Sequence, residues 1–129
     1  AIVSLMMAGI IGRHPRLRIA FSHGGGVFAL VLPRFLHGWK MMPGLRDATG
    51  GSPAELARRL YYDTLVYDTD TLRFLVERFG VTQLCIGTDH PFTIEETEPV
   101  AAVERLGLSA ADRDLVLSGN AQRFLGETA

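Results

Sequence analysis

One cysteine, Cys85, is all the thiol this 129-residue chain carries. No internal disulfide can form and nothing points to an oxidising compartment, so the expected location is the cytoplasm. Cys85 lies within Leu84-Cys85-Ile86, with no adjoining basic group to lower its pKa, the setting of a packed thiol rather than a nucleophile. Blocks of like charge are missing too: the 13 basic and 14 acidic residues are interspersed. That leaves no electrostatic footprint for nucleic acid or an anionic membrane. The uncharged stretch 1–11 is too short to span a bilayer, and it lacks the basic n-region and the cleavage site of a signal peptide. It reads instead as a buried helix. There is no internal repeat and no low-complexity tract. The chain opens on Ala1, with neither Met nor a capping residue, as if inside that helix; the expectation is a piece of something longer.

With 47% hydrophobic residues, residues 1–129 are enough for a single domain with a real core. Helix and strand patterns alternate along it, the signature of a parallel α/β architecture. A helix is expected over 1–12, stopped at Gly12 ahead of His14-Pro15. A strand over 17–22 and an apolar helix over 27–39 come next, the latter kinked or shortened by Pro33. Residues 41–51, with Pro43-Gly44 and Gly50-Gly51, read as the loosest region. Ser52-Pro53-Ala54-Glu55 has the form of a helix start, with cap, proline at the first position and glutamate three residues on. A second strand is expected over 61–66 and a helix over 71–79, capped by Asp68 and ended at Gly80. A third strand spans 84–87. Three further helices are expected: about 96–106, one capped by Ser109, and 120–125. Three parallel strands with a surplus of helices make an incomplete layer, since parallel strands need both faces covered and neighbours at both edges.

Two segments end strands of this pattern: Ser22-His23-Gly24-Gly25-Gly26 and Gly87-Thr88-Asp89-His90-Pro91-Phe92. In parallel α/β sheets ligands collect at the carboxyl ends of strands, so His23 and Asp89 are placed to share a pocket. Imidazole suits proton transfer near neutral pH or metal ligation. The triplet Gly24 to Gly26 removes nearby side chains, which would let a substrate approach the backbone at Gly24 and Gly25 and expose N–H donors. The plain alternative is a strand-ending histidine and a tight turn. Asp89 can ligate a divalent cation or act as a base, or it can simply be a turn residue before Pro91; Phe92 offers an apolar wall. His14 and His37 read as solvated or half-buried rather than catalytic, and His90 as pointing to the other side of the chain from Asp89. Asp63, Asp68 and Asp70 read as strand-end and cap residues. Arg34 is a surface arginine or a bidentate carboxylate binder. The methionine pairs Met6-Met7 and Met41-Met42 read as packing. His-Gly-Gly-Gly also forms the oxyanion loop of lipases and esterases, but no serine here is flanked as Gly-x-Ser-x-Gly.

His23 with its three glycines, Arg34 eleven residues on, Gly87 to Phe92, and Ser118-Gly119-Asn120-Ala121 before Phe124-Leu125-Gly126 together resemble the amidohydrolase-related metal-dependent family. The branch most similar is that of the aminocarboxymuconate-semialdehyde decarboxylases, and the resemblance covers essentially the whole chain. It implies a (β/α)₈ barrel of which this chain is the C-terminal part, strands six to eight with their helices. It implies Asp89 as ligand of a catalytic divalent metal, usually zinc, and His23 as an acid/base beside it. Arg34 would bind a substrate carboxylate, reaching into a neighbouring subunit's site in a dimer, and Phe92 would line the pocket. The family's other ligands, a His-x-His pair on the first strand and a histidine on the fifth, have no counterpart here. A catalytic zinc needs about three protein ligands, so the resemblance assigns the metal chemistry to a parent barrel and leaves this chain alone inactive. The implied activity is non-oxidative decarboxylation of a small unsaturated or aromatic carboxylic acid. The alternatives are hydrolysis or hydration in the same frame, or a non-catalytic fragment that folds by association.

Overall fold

In the computed structural model residues 1–127 are described. Three short strands, β1 (Ala20–Phe21), β2 (Tyr61–Asp63) and β3 (Leu84–Cys85), form one sheet in the order β1-β2-β3. Both pairings are parallel, Ala20 opposite Tyr61 and Phe21 opposite Tyr62, then Tyr62 opposite Leu84 and Asp63 opposite Cys85. The expected α/β class with a parallel sheet is what the chain adopts. Because parallel neighbours need crossovers, helices occupy each interval. The strands are shorter than their apolar runs, for the regular ladder ends where each chain segment bends into a loop.

The first helix is two, α1 (Ile2–Met7) and α2 (Ile10–Arg13), since Gly9 takes φ +66° between them. The apolar segment after the glycines is α3 (Phe28–Met41), which runs through Pro33. The sequence predicts a loose segment over 41–51, yet Pro43–Thr49 is helix α4. Pro43 there opens a helix rather than a turn, and Gly50 at φ +65° closes it, the asymmetry proline and glycine favour at the two ends. Trp39 Nε1 donates to the buried Thr49 hydroxyl at 3.0 Å and ties α4 to α3. After α5 (Pro53–Ala57) and β2 comes α6 (Thr69–Phe79), where Asp68 accepts from the Thr71 N–H as the sequence expects. The helix expected over 96–106 shortens to α7 (Pro99–Glu104), again begun by a proline.

The two terminal helices are one rod over residues 110–125. α8 (Ala110–Asp114) passes through a π-wound turn, Leu115–Gly119, into α9 (Asn120–Leu125). This rod covers the outer edge of β3. Ile86 N–H donates to Val116 C=O at 3.0 Å, and the buried Asn120 amide donates to Leu84 C=O at 2.6 Å and Val81 C=O at 2.8 Å. Strand-edge groups that would otherwise stay unpaired are thereby satisfied. No strand pairs with the far edge of β1 among the described residues.

The core lies between the sheet and the helices. Tyr62 is fully buried, stacks on Phe79 at 3.9 Å between ring centroids, and donates its hydroxyl to Ala57 C=O at 3.0 Å. Phe28 stacks on Phe79 as well. Met6, Leu60, Leu72, Leu75, Leu84 and Val103 are among the side chains packed around them, each large one contributing about 1.5–3 kcal/mol on burial.

Candidate functional site

Each strand runs at its carboxyl end into a loop that carries a polar residue at positive φ: His23 at +54° after β1, Tyr67 at +54° after β2, and Asp89 at +60° after β3. For side-chain-bearing residues this conformation costs about 1–3 kcal/mol and persists where surrounding structure enforces it, which happens most often at functional sites. His23 and Asp89 line the same open cavity of about 390 Å³, together with Phe92, Thr93 and Ile94. The spatial pairing expected of His23, Asp89 and Phe92 is therefore present. His23 and Phe92 are exposed, while Asp89 is half-buried.

The glycine triplet works differently from the expectation. His23–Gly25 form a single 3₁₀ turn, and its amides are already committed. Gly24 N–H donates to Asp63 Oδ1 at 2.9 Å, Gly25 N–H to Ser22 C=O and Gly26 N–H to His23 C=O. They are not open donors for a substrate. Gly24 is buried, and a Cβ there would enter the side chains of Leu75 and Val66; one at Gly25 would lie 2.8 Å from the Tyr62 ring. These two glycines let the turn press against the core, where the sequence predicts substrate contact at their backbone.

Asp63 and Thr64, at the end of β2, are residues the sequence does not single out for the site. Asp63 Oδ1 accepts from both Gly24 N–H and Leu65 N–H, the latter at 3.1 Å. The buried Thr64 hydroxyl accepts from Gly87 N–H at 3.2 Å. The available signal is positional, a polar pair ending the central strand of a parallel sheet. Tyr67 escapes a reading of the sequence for the same reason. Desolvation and then the charges of Asp89, Asp63 and Glu96 push its phenol above the ordinary range. Burial likewise pushes the Cys85 thiol up, with Asp63 adding to the shift and Arg123 opposing it, in keeping with a packed, unreactive cysteine.

The loop after β3 is closed on itself. Glu96 N–H donates to Thr88 C=O at 2.8 Å, and Phe92 N–H to Asp89 C=O at 2.9 Å. His90 Nδ1 lies 2.7 Å from Glu95 Oε2 in an exposed pair, and His90 does not line the cavity that Asp89 lines. Arg34 is exposed on α3 and does not line the His23–Asp89 cavity. His14 is exposed in the turn before β1, and His37 on α3 is exposed as well.

As for a metal, Asp89 supplies one carboxylate, and no group of three or more His, Cys, Asp or Glu side chains that could hold an ion occurs among the described residues. The chain's own described residues do not make a catalytic zinc site, which needs about three protein ligands. No helix is long and apolar enough to cross a membrane among the described residues.

A family model described as amidohydrolase matches residues 1–126. The 2-amino-3-carboxymuconate-6-semialdehyde decarboxylases of Dictyostelium discoideum and Caenorhabditis elegans are each 35% identical to the chain, over 128 and 130 residues. These alignments cover 98% and 97% of the chain but 36% and 32% of the relatives, so the chain spans about a third of their length. Among solved structures, a dihydroxybenzoic acid decarboxylase from Polaromonas sp. JS666 with bound manganese and 2-nitroresorcinol superposes with a TM-score of 0.80 at 24% identity, over 99% of this chain and 40% of that one. At that identity the likeness speaks for the fold.

Proposed function

The chain belongs to the amidohydrolase family, and from that membership we propose that it is the C-terminal part, strands six to eight, of a (β/α)₈ barrel that decarboxylates a small unsaturated or aromatic carboxylic acid without oxidation. Residues 1–129 would be one partial domain of that barrel. The observation that carries the reading is the cavity shared by His23 and Asp89 at the carboxyl end of the parallel sheet, where barrel enzymes place their chemistry. The curated relatives' decarboxylase names support the reaction class.

Non-oxidative decarboxylation breaks the bond between a carbon and its carboxyl group, releases CO₂ and leaves an electron pair that a proton must capture. An imidazole titrates near neutral pH and can deliver that proton. His23, exposed at the cavity rim and held by its turn, is the group we assign to it. The half-buried Asp89 carboxylate in the same cavity would hold the cationic partner of the site, and Phe92 would wall it. Zinc is the metal the family resemblance implies for Asp89. Asp89 would be one ligand of that ion, and the remaining ligands would come from the rest of the barrel.

Arg34 would bind a substrate carboxylate in a second subunit of a dimer rather than in its own. Its exposure on α3, a helix that also exposes Leu30, Val31 and Met41, supports an interface there. The cytoplasm is the compartment we propose, on the single unpaired cysteine. The test is CO₂ release from 2-amino-3-carboxymuconate 6-semialdehyde and from dihydroxybenzoates by the full-length protein. Substituting His23→Ala should abolish release with substrate still bound. Turnover that survives this change would overturn the assignment, and release of an amine or uptake of water without CO₂ would favour the hydrolase or hydratase alternative.

A further inference from the structure

We propose that the carboxyl end of β2 is a two-armed brace, in which Asp63 positions the turn that carries His23 and Thr64 positions the segment that carries Asp89. The inference rests on the pairing of His23 and Asp89 as the working groups of the site. Neither Asp63 nor Thr64 lines the cavity those two share, so the brace acts through the backbone.

The first arm is direct. The Gly24 N–H belongs to the peptide that joins His23 to Gly24, so fixing its direction fixes ψ of His23. Asp63 Oδ1 holds that N–H at 2.9 Å, a hydrogen bond to a charged acceptor and so stronger than a neutral one. The same oxygen is fixed by Leu65 N–H at 3.1 Å, which anchors the acceptor to its own segment. The second arm runs to Gly87, two residues before Asp89, whose N–H donates to the Thr64 hydroxyl at 3.2 Å. Gly87 also presses on Asp63, since a Cβ there would come 3.1 Å from Asp63 Cβ. Glu96 N–H on Thr88 C=O closes the Asp89 segment from its other side. His23 and Asp89 both hold positive φ, a conformation that survives only where neighbouring structure over-determines it. The strand lying between β1 and β3 supplies that constraint to both, and so sets the distance between imidazole and carboxylate.

Backbone and side-chain NMR of single variants of the full-length protein tests each arm separately, with no need for activity. Asp63→Ala should lower the exchange protection of the Gly24 amide about tenfold, the worth of one such hydrogen bond, and should shift the His23 ring signals while those of Gly87 and Asp89 hold. Asp63→Asn, which keeps the acceptor oxygen, should restore them. Thr64→Val should move the Gly87 amide and the Asp89 carboxyl signals and spare His23, with Thr64→Ser as its restoring partner. If Asp63→Ala does not fold, Asp63→Glu keeps the charge, moves the acceptor outward and must shift His23 alone. Signals of His23 and Asp89 that move together in every variant, or not at all, overturn the brace. Asp63→Ala should also lower kcat about 100-fold with KM little changed, the scale set by a displacement of about 1 Å at the reacting group. The NMR pattern without CO₂ release from the unsubstituted protein would sink the decarboxylase reading and leave the brace standing.

Discussion

Replacing Gly24 by alanine tests how the His23 turn is seated. Gly24 sits at φ +58°, ψ +18°, a left-handed conformation costing an alanine about 1–2 kcal/mol. Part of this is offset because alanine also restricts the unfolded chain, by about 0.4–1 kcal/mol. The steric consequence is larger. The new Cβ would lie 2.8 Å from Val66 Cγ1 and well inside contact with Leu75 Cδ1. Leu75 is 2% exposed and must shift to admit the methyl, so overpacking adds about 1–3 kcal/mol. Gly24→Ala should therefore destabilise by about 2–4 kcal/mol. Gly107 is the matched control, for it has φ +66° and no atom within 4 Å of the position a Cβ would take; only the backbone cost remains there, roughly 1 kcal/mol net. In urea, where small proteins lose about 1–3 kcal/mol per molar, the Gly24 variant should lower the unfolding midpoint about two to four times as far as the Gly107 variant. Equal shifts would show that the turn is not pressed on the core, and the packing role of Gly24 would be refuted.

Polar groups at the ends of elements give two more expected outcomes. Asn120→Leu removes both bonds to Val81 and Leu84 carbonyls and the Arg123 contact, leaving buried acceptors bare at about 1–3 kcal/mol; thermal unfolding should show it, and a variant as stable as the parent would deny Asn120 its anchoring part. Asp68→Ala removes the α6 cap, and with it the two Thr71 hydrogen bonds that hold the Asp68 carboxyl below its ordinary value of 3.8. A folded pKa lower than the unfolded one gives stability that is present above the unfolded value and lost as pH falls through the folded one. The stability gap between parent and variant should be full at neutral pH and close on acidification below 3.8; a gap independent of pH would show that the carboxylate charge adds nothing to the cap.

Much of this chain is legible in its residues because the deciding forces are local. Proline or a capping Ser or Asp starts α5, α6 and α8 where the sequence places them, and alternation of apolar runs with amphipathic segments marks a parallel sheet. Proline-glycine at 43–44 reads as a turn in isolation, but its meaning depends on distant packing: Thr49 lies under Trp39, and that tertiary contact favours helix over turn. Continuity from α8 to α9 is hidden for a similar reason, since the π turn is retained where Val116 C=O meets the β3 edge.

Residue chemistry and spacing single out an imidazole and a carboxylate at two strand ends and the sheet's parallel sense, while the family comes from resemblance. Three-dimensional packing alone decides that the glycine amides are already paired, Gly24 on Asp63 and the other two within their turn, that Arg34 lies outside the His23–Asp89 cavity, and that Asp63 and Thr64 join the two loops. The reason is physical: apolar runs and helix caps are dictated by neighbours a few residues away, while hydrogen bonds across 23 or 39 residues exist only once the sheet has brought their partners together.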